Sequence, residues 1–150
     1  GVRDVHELRT RKMGDAALVD AHILVDPMIS VSEGHYIAEN ARARVLSDPR
    51  VLDALIHVDP ENDTARRPAL ALPPRAEITA RLEAALAQRG QHAATINLHY
   101  LSTGLEVDVT LDAGAGDTDA ALAERLDLDA LKRQFGARRF GFTRALPMKA

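Results

Sequence analysis

Apolar and polar positions alternate most regularly between Ala17 and Val25, where Val19, Ala21, Ile23 and Val25 form one unbroken apolar set and Asp20 and His22 share the other with Leu18 and Leu24. A period of two places successive side chains on opposite faces, so this segment predicts a half-buried strand over 17–26, ended by Pro27. Residues 2–11 predict its hairpin partner, joined through Lys12-Met13-Gly14-Asp15, with Gly-Asp supplying the turn. Ser30-Val31-Ser32-Glu33 has capping-box spacing. Ile37, Ala38, Ala41, Val45 and Leu46 then recur at helical intervals as far as Asp48-Pro49. A third strand runs from Val51 to Asp59, pointing Ile56 and Val58 one way and Leu55, His57 and Asp59 the other.

Periodicity then lapses. Residues 61–75 carry Arg66, Arg67, Pro68, Pro73 and Pro74 and read as a linker. Beyond it Ile78, Leu82, Ala85 and Leu86 mark a helix closed by Gly90, and strands follow at about 93–102 and 105–112, hinged at Thr103-Gly104. One helix over about 118–134, through Leu122, Leu126, Leu128 and Leu131, leads to a last strand from Arg138 to Leu146. The order is ββαβ, then αββαβ. Val5-His6-Glu7-Leu8 stands beside Leu98-His99-Tyr100-Leu101, and Val19-Asp20 beside Val107-Asp108, which reads as a diverged tandem duplication. Two strands and a parallel return through a helix form a split βαβ unit, so the fold class is α+β and ferredoxin-like, with helices on one face of each small sheet. The first copy lacks an opening helix. Since the chain begins at Gly1 without a basic leader or apolar signal core, it is expected to be a fragment of something longer.

Composition narrows the function classes. The chain has 150 residues, 46% hydrophobic but only 3% aromatic, with neither Trp nor Cys, so thiolate sites and disulfides are excluded. Nineteen basic and 22 acidic residues give a net charge of −3, which gives no electrostatic ground for a nucleic-acid partner. The uncharged stretch Gln91 to Leu105 contains Gln, His, Asn, Ser and Thr and is shorter than the roughly 18 apolar residues of a membrane span.

Four of the six histidines fall within residues 1–60: His6, His22 and His57 on predicted strands and His35 at the start of the helix. His57 and Asp59 leave the same strand face roughly 6.6 Å apart, a spacing that a metal ion or a metal pair can bridge. On spacing alone a structural role and a metal-binding role stand level for this pair. His22 shares its face with Asp20, and His6 has the even parity of Leu8 and Thr10, so all three imidazoles can project from the side of the sheet away from the helix. Imidazole and carboxylate together suit Zn²⁺, with Fe²⁺, Mn²⁺, Co²⁺ and Cd²⁺ as competitors. His92 and His99 read as structural, Asp20 as a solvated strand residue and Glu33 as a cap. Arg9, Arg11, Arg66 and Arg67 read as solvated charge, and Asp4, Glu7 and Asp26 receive no special role. A Cys nucleophile, G-x-S-x-G, H-E-x-x-H and a phosphate-cradling glycine loop are all missing from the sequence. Gly114-Ala115-Gly116-Asp117 reads as a turn and cap. No enzyme activity is expected.

The succession His6-Glu7-Leu8-Arg9-Thr10-Arg11, Val19-Asp20-Ala21-His22, Glu33-Gly34-His35 and Ile56-His57-Val58-Asp59-Pro60 resembles the cytoplasmic C-terminal domain of cation diffusion facilitator transporters over residues 1 to about 60. The resemblance implies a metallochaperone-like αββαβ fold that forms a homodimer beneath a membrane domain of the same polypeptide and binds divalent metal, Zn foremost, near the dimer interface. It implies His6, His22, His35, His57 and Asp59 as ligands, with Asp59 bridging two ions. The expected organisation is a metal-binding domain over 1–60, a linker over 61–75 and a second copy over 76–150 without the ligand set. In that copy Thr110 is expected where His22 would stand, Phe142 or Thr143 where His57 would stand, and His99 as the echo of His6. The implied function is metal sensing at the cytoplasmic face of the membrane, as part of a cation efflux transporter whose dimer closes on metal. A soluble, metal-independent interaction module is the competing expectation, distinguished by a monomeric state and indifference to chelator.

Overall fold

The computed structural model describes residues 1–62, 71–112 and 118–145. Arg66, Arg67 and Pro68 of the expected linker, the Gly114 to Asp117 turn and Leu146 lie outside the described residues. The chain divides into two compact units, Gly1–Pro68 and Ala69–Ala150.

In the first unit β1 (Asp4–Met13), β2 (Ala16–Leu24) and β3 (Val51–Asp59) form a sheet in the order β1-β2-β3, with α1 (Val31–Leu46) between β2 and β3. β1 and β2 are antiparallel, and β3 returns parallel to β2, as a strand must after a helical crossover. The hairpin turns at Gly14, whose φ of 63° lies where a side chain would be strained. The Ser30 hydroxyl accepts from the Glu33 amide at 3.1 Å and starts α1. α1 covers the odd face of β2. Ile23, Val25 and Ala38 are buried there, with Ile29, Ile37, Ala41, Ile56 and Val58 packed around them. Gly34 brings α1 close to β3, since a Cβ at that position would stand 3.5 Å from Val58 Cγ1. The Arg42 guanidinium fastens the helix to β3 through the Ala54 carbonyl at 2.9 Å and Asp53 at 2.8 Å. Among the described residues of this unit, α1 is the only helix, so no helix of the unit covers the other face.

One expectation fails here. His6 does not keep the parity of Leu8 and Thr10, because the register shifts between His6 and Arg9: His6 lies opposite His22, and Arg9 opposite Asp20. Glu7 and Leu8 together face the single residue Ala21, a β-bulge with Glu7 at φ 49°. The extra residue moves Arg9 and Arg11, rather than Leu8 and Thr10, to the face that carries His6.

The second unit has α2 (Arg75–Ala87), β4 (Ala93–Leu101), β5 (Gly104–Leu111), α3 (Asp119–Leu126), α4 (Leu128–Phe135) and β6 (Arg139–Arg144). Its sheet has the order β4-β5-β6, with β4 antiparallel and β6 parallel to β5, so it repeats the pairing scheme of the first unit. The α+β layout therefore holds in both. Its core is larger, with Ile78, Leu82, Leu86, Leu105, Val107, Val109, Leu111, Leu126 and Leu131 almost wholly buried. The helix expected over 118–134 is in fact two helices. Asp127 takes a left-handed conformation, φ 47°, which ends α3, and its carboxylate accepts from the Ala130 amide at 3.0 Å to start α4. Gly136, also left-handed at φ 59°, closes α4.

Candidate metal centre

The uncovered face of the first sheet gathers the candidate residues because two parity rules coincide on it. In β2 the apolar odd positions are committed to α1, so Asp20 and His22 point the other way. In β3 the inward positions are Ala54, Ile56 and Val58, which sends Leu55, His57 and Asp59 to the same open side. Parallel pairing sets His22 directly beside His57, and antiparallel pairing sets His6 beside His22. Three imidazoles thus stand in a row across three strands. Their ring centroids are 5.5 Å apart for His6 and His22 and 4.6 Å for His22 and His57.

Asp59 organises them. Its Oδ2 lies 2.9 Å from His6 Nε2 and 2.8 Å from His22 Nδ1, and its Oδ1 lies 2.6 Å from His57 Nδ1. The carboxylate is only 3% exposed, and burying an ionised group is costly unless it is paired. That burial pushes the Asp59 carboxyl upward, but hydrogen bonding to His22 and the charge and hydrogen bond of His57 outweigh it, so the carboxyl lies below its ordinary range. The row opens outward, with side chains 10% exposed at His6, 33% at His22 and 61% at His57.

The donor set fits a divalent cation. One nitrogen each from His6 and His22 and one oxygen of Asp59 lie within 4.8 Å of one another. With bonds of about 2.0–2.1 Å, tetrahedral ligands stand about 3.4 Å apart, so the present contacts need to open by well under 1 Å. His6 Nδ1 is buried without a hydrogen-bond partner, which leaves the ring unsatisfied at one nitrogen. His6 and His22 share the single oxygen Oδ2, so a cation ligated by both rings and that oxygen would replace two contacts to one atom. The two oxygens of Asp59 face different rings, Oδ2 towards His6 and His22 and Oδ1 towards His57, a division suited to bridging two ions.

His35 is not in this group. It is exposed on α1, on the other side of the sheet, and lines a groove of about 440 Å³ with Val25, Ile29, Val31 and Val58. Glu7, given no role from the sequence, is brought in by the bulge, with its Oε2 4.0 Å from His22 Nε2 and 2.9 Å from the Arg9 guanidinium. Nothing in residue type announced it, since a left-handed position is ordinarily signalled by Gly or Asn. Arg11 reaches Asp20 at 2.7 Å.

Among the described residues, the second sheet holds no equivalent. Thr110 stands opposite Thr143, their hydroxyls 3.2 Å apart, where the first sheet pairs His22 with His57. Pairing also displaces the expected echo of His6: the residue opposite Thr110 is Thr95, whereas His99 stands opposite Glu106. The Arg139 guanidinium bonds Glu106 at 2.8 Å and Asp108 at 2.6 and 2.7 Å, so these carboxylates are already neutralised by a fixed cation.

Residues 1–61 match the family profile described as cation efflux protein, cytoplasmic domain. Among curated proteins, Metal tolerance protein C1 of Arabidopsis thaliana is 43% identical over 61 residues, 40% of this chain and 13% of that protein. Cation-efflux pump FieF of Cronobacter sakazakii is 35% identical over 60 residues, 40% of this chain and 20% of the pump. The matched stretch thus spans at most a fifth of the length of these two relatives. Among solved structures, the metal-bound C-terminal domain of the CzcD transporter from Thermotoga maritima is 30% identical, covering 39% of this chain and 70% of that one, with a TM-score of 0.38.

Proposed function

We propose, from the match of residues 1–61 to the cation efflux protein cytoplasmic domain profile, that this chain is the metal-sensing, dimerising part of a divalent-cation exporter and lies at the cytoplasmic face of the membrane. The observation that carries the reading is the convergence of His6, His22 and His57 on the buried Asp59. His6, His22 and Asp59 hold one cation, and Asp59 shares its second oxygen with His57 towards another. Zn²⁺ is the favoured ion, because a mixed imidazole and carboxylate donor set suits it. His35, separated from the set within one chain, joins the ligands from a second copy in a homodimer. The sheet face around His57 and the exposed Leu55 is where that copy docks.

Sensing then follows from linkage. Two dimer arrangements with different affinities for the cation exchange population as the His/Asp set fills, and equal affinities would shift nothing. The more closed arrangement promotes export by the attached membrane domain. Residues 76–150, without imidazoles at the matching positions, serve as a structural or interaction module.

Isothermal calorimetry of the chain with Zn²⁺ at neutral pH tests this. Saturable binding is expected, abolished by Asp59→Ala, weakened by His57→Ala, and weaker in acid, where protons compete with the cation for the ligand atoms. Unchanged affinity in both variants sinks the ligand assignment. A monomer indifferent to chelator, by sedimentation, favours a metal-independent interaction module instead.

A further inference from the structure

A ring that binds a cation through one nitrogen is left with the other, and what that second nitrogen meets decides how firmly the ring is aimed. His22 turns Nδ1 to Asp59 at 2.8 Å, while its Nε2 faces Glu7 Oε2 at 4.0 Å. Glu7 reaches that place by an unusual backbone. It occupies the bulge where two residues of β1 face Ala21 alone, at φ 49°, a conformation that glycine accepts freely and a glutamate does not. Bulges re-aim side chains beside functional sites, and strain of this kind persists only where the surroundings enforce it. Arg9, which the bulge rotates to the same face, donates to Glu7 Oε2 at 2.9 Å and keeps the carboxylate poised beside the ring.

We propose that Glu7 is a positioning residue of the His6, His22 and Asp59 set, its carboxylate accepting the Nε2–H of His22 so that Nδ1 of the same ring is presented, lone pair outward, to a divalent cation. The assignment rests on the cation-binding reading above. Closing the 4.0 Å separation to hydrogen-bond range requires about 1 Å of side-chain movement, within the freedom of a partly exposed glutamate. A carboxylate on the far nitrogen fixes the ring's tautomer and orientation and raises its basicity as a ligand. Arg9 is then the resting partner of Glu7 and gives up part of its hold as the cation enters.

The test titrates the 150-residue chain with Zn²⁺ as wild type, Glu7→Gln, Glu7→Gly and Asp59→Ala, and follows apo melting and the histidine ring ¹⁵N and N–H signals. Glu7→Gly relieves the left-handed backbone, so its apo melting temperature is expected to stay level or rise while zinc affinity falls roughly 10–100-fold. Glu7→Gln, which keeps size but not charge, is expected to lose affinity by a smaller factor. In the zinc-loaded wild type the His22 Nε2–H should exchange slowly with water, and faster in both Glu7 variants. Should the glycine variant fold poorly, Glu7→Gln carries the decision. Wild-type affinity and exchange in the Glu7 variants, with binding lost in Asp59→Ala, overturns the role of Glu7 alone. No binding by the wild type, or undiminished binding by Asp59→Ala, overturns the metal centre and this role with it.

Discussion

Asp48 and Asp59 show how differently one residue type behaves at the two ends of the same strand region. Asp48 sits before β3 on the surface, its Oδ1 accepting from the amide and Nε of Arg50, both at 3.0 Å, and its Oδ2 from Nη2 at 2.6 Å. The Arg50 side chain and then its amide hold the Asp48 carboxyl down at about 2. A carboxyl lowered on folding stabilises the native state above its unfolded value of about 3.9 and loses that contribution as pH falls through the folded value. By NMR the Asp48 carboxyl should titrate near pH 2, and Arg50→Ala should return it most of the way to an ordinary carboxylate. A midpoint unmoved by Arg50→Ala contradicts the assignment. At this scale His22, His57 and Asp59 were legible in the sequence, because strand parity needs only the apolar face to be identified and β2 displays four apolar residues in succession at odd positions. His6 was placed on the right face by a parity that the bulge then broke for every residue beyond it. Glu7 stayed hidden because left-handed glutamate has no sequence signature.

Among the elements, the break between α3 and α4 is the clearest departure from the sequence expectation. Leu122, Leu126 and Leu131 all reach the core, so apolar spacing gave no sign of an interruption, and Asp127 reads as an ordinary helix residue until its φ of 47° is known. Loss of its capping bond in Asp127→Ala should cost about 1 kcal/mol in chemical denaturation, with faster exchange of the Ala130 amide, whereas Asp127→Asn should be nearly neutral. Equal effects of the two substitutions would contradict a capping role. On β6, Gly141 leaves room for the Asp108 carboxylate, since a Cβ there would stand 2.7 Å from its Oδ1. Gly141→Ala should therefore displace Asp108 and loosen its pair with Arg139, visible as increased mobility of the Arg139 guanidinium by NMR.

For the whole molecule, the repeated pairing scheme was readable from element order, yet the two units spend their residues differently. The second buries its apolar side chains under three helices. Leu82→Ala, at a fully buried position, should destabilise that unit by about 2–5 kcal/mol in urea denaturation. In the first unit Leu55 is 68% exposed on the face opposite α1, so Leu55→Lys should alter the stability of a lone chain by no more than about 0.5 kcal/mol. The same substitution should weaken self-association in analytical ultracentrifugation if that face receives a second copy, and an unaltered association constant would place the dimer contact elsewhere. What the sequence did not disclose was how exposed Leu55 and His57 are, since exposure depends on what packs on a strand rather than on the strand pattern itself.

The kink in the first hairpin carries a corollary about length. Two residues oppose Ala21, while His6 keeps His22 and Arg9 keeps Asp20 as partners on either side. Excising one of the pair would leave a regular ladder with every flanking partnership intact, because His6 and Arg9 would then be two steps apart on one face. The hairpin is thus one amino acid longer than its own architecture demands. That surplus residue is dispensable to the pairing of the sheet, and what it adds is a carboxylate 4.0 Å from the His22 ring.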